Sequence, residues 1–410
     1  MKLFMMLLSQ REYKKLLILN LINSKKGISR TEIANMTDYR ASTIGELVNE
    51  LLDEKIIVES GKSQAGQGRK RKMLEVNGDY LCAVGVVIYP PKIDVLICSI
   101  SGEIWKRITI PFEKNWSADK IIETLSQNIR ALASEFEMKK IIGVGICDPG
   151  VVAANHEYSL SSVYINNWKN VHIKSIVEDM TKLPVSISSR VYLTALAEQS
   201  VGRAKGKNDF ICLVLSEGIG LSFVCNGRVV TGYTGMAGQI GHTCVCKCDK
   251  EVPCYCGNFG CMETECSFPA IKKKIAGALI SGYSSNLSVF KDSPNKITPV
   301  DIRSAIEDGD RLVINVVKSA ARNIGLALAN CINILNPESI IMSGEMIEFG
   351  DPFISTIVDS AKEHIIPIQN ISIEFAISDL MDTALPLGAA SVVFSEFLQT
   401  ETFKGICDIS

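Results

Sequence analysis

Seven of the 14 cysteines lie between Cys244 and Cys266, and their spacing restricts how that stretch can fold more than any other feature of the chain. Gly241-His242 is followed by Cys254-Tyr255-Cys256-Gly257-Asn258-Phe259-Gly260-Cys261. One imidazole and three thiolates can close a tetrahedron around Zn²⁺, and four protein ligands make such an ion structural. Gly257 and Gly260 let the chain turn back between ligands. Cys244, Cys246 and Cys248 are alternates, although as a strand all three would point to one face. A thiol cluster of this kind suits a compartment where disulfides are disfavoured. The apolar run from Met1 to Leu8 is too short for a secretory leader, and no segment reaches the ~18 uninterrupted apolar residues of a membrane span. A cytoplasmic location with no membrane partner is expected.

Charge is as uneven as cysteine. The formal net charge is −2, which excludes a uniformly basic nucleic-acid coat. Residues 1–80, however, hold 14 Lys/Arg and 10 Asp/Glu, leaving 29 against 35 for the remainder. Within that basic segment, residues 11–22 carry leucine and isoleucine at mostly helical spacing. A short helix at Thr31–Ala34 follows, with Ser29 or Arg30 near its N-cap, and Thr37 to Arg40 forms a turn. Ser42 and Thr43 are expected to cap a longer helix, Ile44–Leu52, with Ile44, Leu47, Val48 and Leu51 on one face. Ile56–Val58 and Met73–Val76 then read as two strands around Gly61–Lys72, a glycine-containing loop with five basic residues. This is the pattern of a winged helix-turn-helix over residues 1–78. Arg40, Ser42 and Thr43 are candidates for base or phosphate contacts, and Arg69, Lys70, Arg71 and Lys72 for phosphate or minor-groove contacts, on double-stranded DNA.

From residue 79 to 410 strands alternate with helices, giving an α/β fold with glycine turns at strand ends. Leu81–Ile88 and Ile93–Ile100 read as a hairpin through Pro90-Pro91, with a third strand at Glu103–Ile110. Helices are expected at Lys120–Phe136, Tyr192–Gln199 and Arg322–Ile334. Strands are expected at Ile141–Ile146, Ile211–Ser216, Gly220–Cys225 and Ser339–Met342. Long insertions around 155–175 and 245–300 suggest more than one lobe, and no internal repeat is evident in the sequence.

Several motifs resemble those of the ROK family of repressors, open reading frames and sugar kinases. They are Gly143-Val144-Gly145-Ile146 with Pro149-Gly150, Gly218-Ile219-Gly220, Gly235 through His242, the 254–261 stretch with Glu263 and Ser267, Asn336-Pro337-Glu338 through Ser343-Gly344, and Gly388-Ala389-Ala390. The helix-turn-helix followed by Gly66-Gln67-Gly68-Arg69 is similar to the repressor branch. The resemblance spans nearly the whole chain. It implies a two-lobed actin-like, ribonuclease-H-like domain over 79–410, zinc on His242, Cys254, Cys256 and Cys261, and a homodimer or homotetramer.

The resemblance also exposes departures from the kinases. Where they carry Asp-x-Gly-Gly-Thr to cradle ATP phosphates, this chain has Val87-Ile88-Tyr89-Pro90-Pro91. Aligned on Ala195-Leu196-Ala197-Glu198, Ser189 and Arg190 replace the kinases' Asn-Asp pair, and a guanidinium cannot act as a general base. By the same resemblance Gln239, His242 and Glu263 join Ser189 and Arg190 as candidate contacts to a carbohydrate effector. Arg190 leaves two expectations open: pairing with an acidic or phosphorylated sugar, or with Glu263 or a neighbouring carboxylate. The reading is a DNA-binding transcriptional regulator, a repressor of carbohydrate metabolism without enzyme activity. The alternative is a ROK sugar kinase with a regulatory DNA-binding head.

Overall fold

The computed structural model describes residues 10–25, 27–62, 72–78, 80–113, 115–136, 140–244, 252–367 and 373–398. They fall into two compact units, Met1–Ser188 with Ala389–Ser410, and Ser189–Gly388.

The first unit begins with α1 (Gln10–Lys25), α2 (Arg30–Met36) and α3 (Ala41–Asp53), followed by β1 (Ile57–Lys62) and β2 (Lys72–Val76), an antiparallel pair. Ser29 caps α2 through a reciprocal capping box with Glu32, which satisfies two otherwise orphaned backbone donors. The start of α3 differs from expectation. Its N-cap is Arg40, whose extended backbone and carbonyl begin the helix, so Ser42 and Thr43 lie inside the first turn. Ile18, Ile22, Ile33, Ile44, Val48, Leu51 and Leu74 form a core that also takes in Leu81 and Leu398. Arg11 and Lys15 on α1 pair with Glu50 on α3, and the hydrogen bond from Arg11 holds the Glu50 carboxyl down to about 2.

The same unit continues with β3 (Leu81–Tyr89), β4 (Lys92–Ser99), β5 (Ile104–Pro111), α4 (Ala118–Glu135) and β6 (Lys140–Cys147). Three short strands follow, β7 (Val151–Val152), β8 (Ser159–Ser161) and β9 (Lys169–Val171), then α5 (Ile173–Thr181) and β10 (Val185–Ser188). The main sheet has the order β10-β6-β3-β4-β5, parallel from β10 to β3 and antiparallel from β3 to β5. Nearly every residue of β3 and β4 is buried, so these strands read as continuous apolar runs. The insertion expected around 155–175 is the small β7-β8-β9 sheet.

The second unit contains α6 (Arg190–Ser200), β11 (Phe210–Leu215), β12 (Ile219–Cys225), β13 (Arg228–Val229), α7 (Glu263–Cys266) and α8 (Phe268–Ile280). Then come α9 (Pro299–Glu307), α10 (Arg311–Leu335), β14 (Ser339–Ser343), α11 (Asp351–His364) and β15 (Glu374–Ile377). The chain returns to the first unit within α12 (Ala384–Leu398). Its sheet has the order β13-β12-β11-β14-β15.

Numbered within each sheet, both orders are 3-2-1-4-5, with the first three strands antiparallel and the last three parallel. The fold is therefore a duplication that the sequence does not reveal, because apolar strand patterns repeat without repeating residue identity. Helix α10 is also longer than the Arg322–Ile334 expected from sequence, starting at an Asp310 cap. It is the one described helix long and apolar enough to cross a membrane, and half of its most apolar stretch is buried in the core of this unit.

Candidate metal centre and ligand-binding residues

His242 ends a 3₁₀ turn, Ile240–His242, and Cys254, Cys256 and Cys261 follow on a tight loop. Within it the Cys254 N–H donates to the Asn258 carbonyl and the Gly257 N–H to the Cys254 carbonyl. Gly257 and Gly260 have φ of +91° and +79°, conformations that side chains other than glycine rarely adopt. The loop brings one ligand atom from each of the four residues within 4.8 Å of all the others. Cys254 Sγ lies 3.6 Å from His242 Nδ1, and Cys256 Sγ 3.6 Å from Cys261 Sγ. A tetrahedral zinc with Zn–S near 2.3 Å has edges of about 3.7 Å, so the donor set fits that ion.

The imidazole is oriented from its far side. His242 Nε2 is 3.3 Å from the Tyr255 hydroxyl, and the two rings meet edge-on. This leaves Nδ1 to the thiols, and a hydrogen-bonding partner on the outer ring nitrogen is common at histidine–metal sites. Burial pushes the Cys254 thiol up and Cys261 up to about 12, whereas the Asn258 backbone lowers Cys256. A cation among them would favour the thiolates, so metal uptake releases protons. Of the alternates, Cys244 is exposed and stands outside the four-residue group. Cys246 and Cys248 lie outside the described residues, and Cys266 is buried in α7.

The five candidate effector contacts all belong to the second unit, in different states. Gln239 is exposed, and its carbonyl accepts the His242 N–H. Ser189 is the N-cap of α6 but makes no side-chain cap bond. Arg190 opens that helix, half-buried, and its charge bears on Glu345, whose carboxyl burial pushes up. Glu263 is buried, and its Oε2 accepts the Ile219 N–H at 2.8 Å.

That last bond engages the glycine-containing turn from β11 into the start of β12, residues 216–220. Ser216 Oγ donates to Glu345 at 3.0 Å, and Lys272, buried beside the Phe268 ring, pairs with Glu217 at 3.5 Å. Sequence reasoning missed Ser216, Glu217, Lys272 and Glu345 as members of one cluster. The available signal was the acidic residue beside glycine in both Glu217-Gly218 and Gly344-Glu345. In the first unit, Tyr89 ends β3 before the cis Pro90-Pro91 turn, and its ring packs against Tyr164 at 5.2 Å.

Among the DNA-contact candidates, Arg40 and Ser42 are exposed at the start of α3 and Thr43 is half-buried. Lys72 is exposed and paired with Glu59. Arg69, Lys70 and Arg71 lie outside the described residues.

The ROK family model matches residues 84–396. A xylose repressor of Caldicellulosiruptor bescii is 28% identical over 390 residues, covering 95% of this chain and 97% of its own length. A glucokinase of Halalkalibacterium halodurans is 29% identical over 312 residues, covering 76% and 94%. The crystal structure of a ROK family transcriptional regulator, a homologue of the E. coli MLC protein, superposes with a TM-score of 0.80 at 24% identity. It covers 95% of this chain and 97% of that one, and shows the same fold. The cluster of His242, Cys254, Cys256 and Cys261 is typical of the family's zinc-binding motif. With that motif and a family match over most of its length, the chain belongs to the ROK family.

Proposed function

We propose that the chain is a transcriptional repressor of sugar metabolism, in which residues 1–78 bind a DNA operator and residues 79–410 bind a sugar-like effector. The observation that carries this reading is the three-helix, two-strand head preceding the family domain, in register with xylose repressors over nearly their whole length. The excess of positive charge in residues 1–80 supplies the attraction to phosphate. Arg40 and Ser42 open the helix that would enter the major groove, and Arg69, Lys70, Arg71 and Lys72 supply backbone or minor-groove contacts. Pairing of Lys72 with Glu59 is no obstacle, because an exposed ion pair is weak and exchanges readily for phosphate. A homodimer or homotetramer would place two heads on two half-sites, in the cytoplasm.

The effector contacts in this reading are Ser189, Arg190, Gln239, His242 and Glu263. A ligand switches the repressor only through different affinity for its DNA-bound and free forms. The chain does not phosphorylate its ligand. The Ile219 N–H of the glycine turn, a backbone donor of the kind that cradles phosphate, is already held by Glu263. A guanidinium at position 190 cannot serve as the base.

The likeness to a glucokinase supports the second reading, a sugar kinase with a DNA-binding head, and one preparation tests both. Fluorescence anisotropy on a palindromic site from the chain's own promoter should show affinity falling steeply with salt. Arg69→Ala/Lys70→Ala should reduce the log–log salt slope by about 2. The same protein should consume no ATP on a panel of hexoses. Absence of DNA binding at low salt rejects the repressor, and sugar-dependent ATP turnover establishes the kinase.

A further inference from the structure

Helix α3 has one face in the core of the head and one in solvent. Ile44, Leu47, Val48 and Leu51 are buried, and the opposite row, Ser42, Glu46, Asn49 and Asp53, is exposed. In a helix-turn-helix the second helix lies in the major groove with its N-terminal residues at the base edges. Ser42 and Glu46 are the members of the exposed row that such docking carries to the bases.

The charge of this helix is the opposite of what phosphate attracts. Ala41–Asp53 holds Glu46, Glu50 and Asp53 and neither Lys nor Arg. Glu50 is neutralised from α1 by Arg11 and Lys15. Glu46 has no such partner. Among the described residues it makes no ion pair or hydrogen bond, and its charge bears on Arg11, which Glu50 already holds. The carboxylate thus repels the DNA backbone and ties nothing together within the head, unless it meets a hydrogen-bond donor on a base. In the major groove those donors are the amino groups of cytosine and adenine. Adenine sets the N7 acceptor beside its amino group, which suits an amide side chain, whereas cytosine N4 suits a carboxylate.

Gly45 is an independent observation on the same helix. It stands in the second turn of α3, and a Cβ built on it meets nothing within 4 Å. Packing inside the protein therefore does not call for glycine here, although glycine in a helix interior costs stability relative to alanine. Beside Glu46, its missing side chain lets the helix backbone come close to an external surface. We infer that α3 selects its operator through Glu46, whose carboxylate accepts a hydrogen bond from the N4 amino group of a cytosine, with Gly45 admitting close approach of the helix to that base pair. The inference rests on the reading that residues 1–78 bind DNA, and it narrows which base they discriminate. Affinity then comes from phosphate contacts by the basic residues, and selectivity from a carboxylate that is repelled by the acceptors of guanine, thymine and adenine.

Selection from a library of randomised duplex DNA by the full-length, zinc-loaded protein, followed by fluorescence anisotropy on the selected site, tests this. Glu46→Gln should select the wild-type sequence except at one position, where wild type requires cytosine. Replacing that C·G pair by T·A should weaken wild type about tenfold or more and Glu46→Gln by no more than about twofold. Asp53→Asn, which removes the same charge about two turns further along the helix, should keep the full discrimination. Gly45→Ala should raise the melting temperature and still weaken binding to the selected site. If Glu46→Gln keeps the requirement for cytosine, or strengthens binding to every duplex by one common factor as loss of charge alone would, the inference fails while the repressor reading stands. A Gly45→Ala variant that binds the selected site as tightly as wild type overturns the part assigned to Gly45. Wild type that binds DNA without selecting a sequence also sinks the inference. Wild type that binds no duplex even at low salt rejects the repressor reading and this inference with it.

Discussion

The zinc loop and the glycine turn at residues 216–220 lie in the same unit, and both bring polar atoms together around glycines. In the zinc loop one imidazole nitrogen and three sulfurs converge at tetrahedral distances, and the remaining ring nitrogen is turned to Tyr255. In the glycine turn the Ile219 amide already has Glu263, the Ser216 hydroxyl has Glu345, and Glu217 has Lys272. Both regions are polar and both follow the family's motif order, yet only the first leaves its donors directed at a common point. What a polar cluster can bind depends on which of its atoms the protein itself leaves unengaged. Asp148, which follows β6 in the first unit, is intermediate: its Oδ1 accepts the Gly150 N–H and the Ser159 hydroxyl, and its buried Oδ2 has no partner among the described residues.

The strongest way to break this contrast is to remove the convergent ligands. Zinc analysis of wild type should give about one ion per chain, and Cys254→Ser/Cys256→Ser should abolish it. Structural zinc sites contribute on the order of 10 kcal/mol of apparent binding energy in isolated peptides. The double variant should therefore melt more than about 5 °C below wild type. Zinc retained in that variant would exclude the ligand assignment.

The intermediate case is sharpened by pH. With its folded-state carboxyl pushed up to about 6, Asp148 binds a proton more tightly in the folded than in the unfolded chain. Its contribution to stability is complete at low pH and is lost as pH rises from about 4 through 6, the reverse of a salt-bridged carboxylate. The full effect is at most about 3 kcal/mol. Urea unfolding of wild type and Asp148→Asn at pH 4.5 and 7.5 should show the variant gaining relative to wild type at the higher pH. Parallel pH profiles would mean that Oδ2 is satisfied in solution.

The smallest effect belongs to the engaged turn. Glu263→Ala leaves the Ile219 N–H without its acceptor in a buried place and should cost about 1–3 kcal/mol. Glu263→Gln, which keeps an acceptor oxygen, should recover part of this in the same urea titration. Unchanged stability in the alanine variant would show that the turn is open and not stapled.

Much of this was readable from the chain, and the reason is locality. The zinc ligands other than His242 lie within eight consecutive residues, so spacing alone limits their geometry. The head was legible for the same reason, since helical periodicity and the Ser29 capping box are short-range features. Local rules erred where two signals competed. Ser42 and Thr43 looked like caps, but Arg40 begins α3 because the chain enters it extended. The N-terminal turns of α10 carry four exposed polar or charged residues, Arg311, Asn315, Lys318 and Ser319, among their apolar ones, which obscured its start at Arg311.

The sequence by itself determined the donor chemistry of the metal site, the three-helix pattern of the head and the alternation of strands and helices. Each depends on residue type and near-neighbour spacing, which the chain states directly. Tertiary structure alone decided that the two sheets repeat one topology, that Arg190 acts on Glu345, that Glu263 is tied to the Ile219 amide and that Asp148 keeps an unpartnered oxygen. Those outcomes depend on which donor reaches which acceptor across strands and helices far apart in the chain. Hydrophobic pattern fixes what is buried, but only the packed arrangement assigns partners to the polar atoms buried with it.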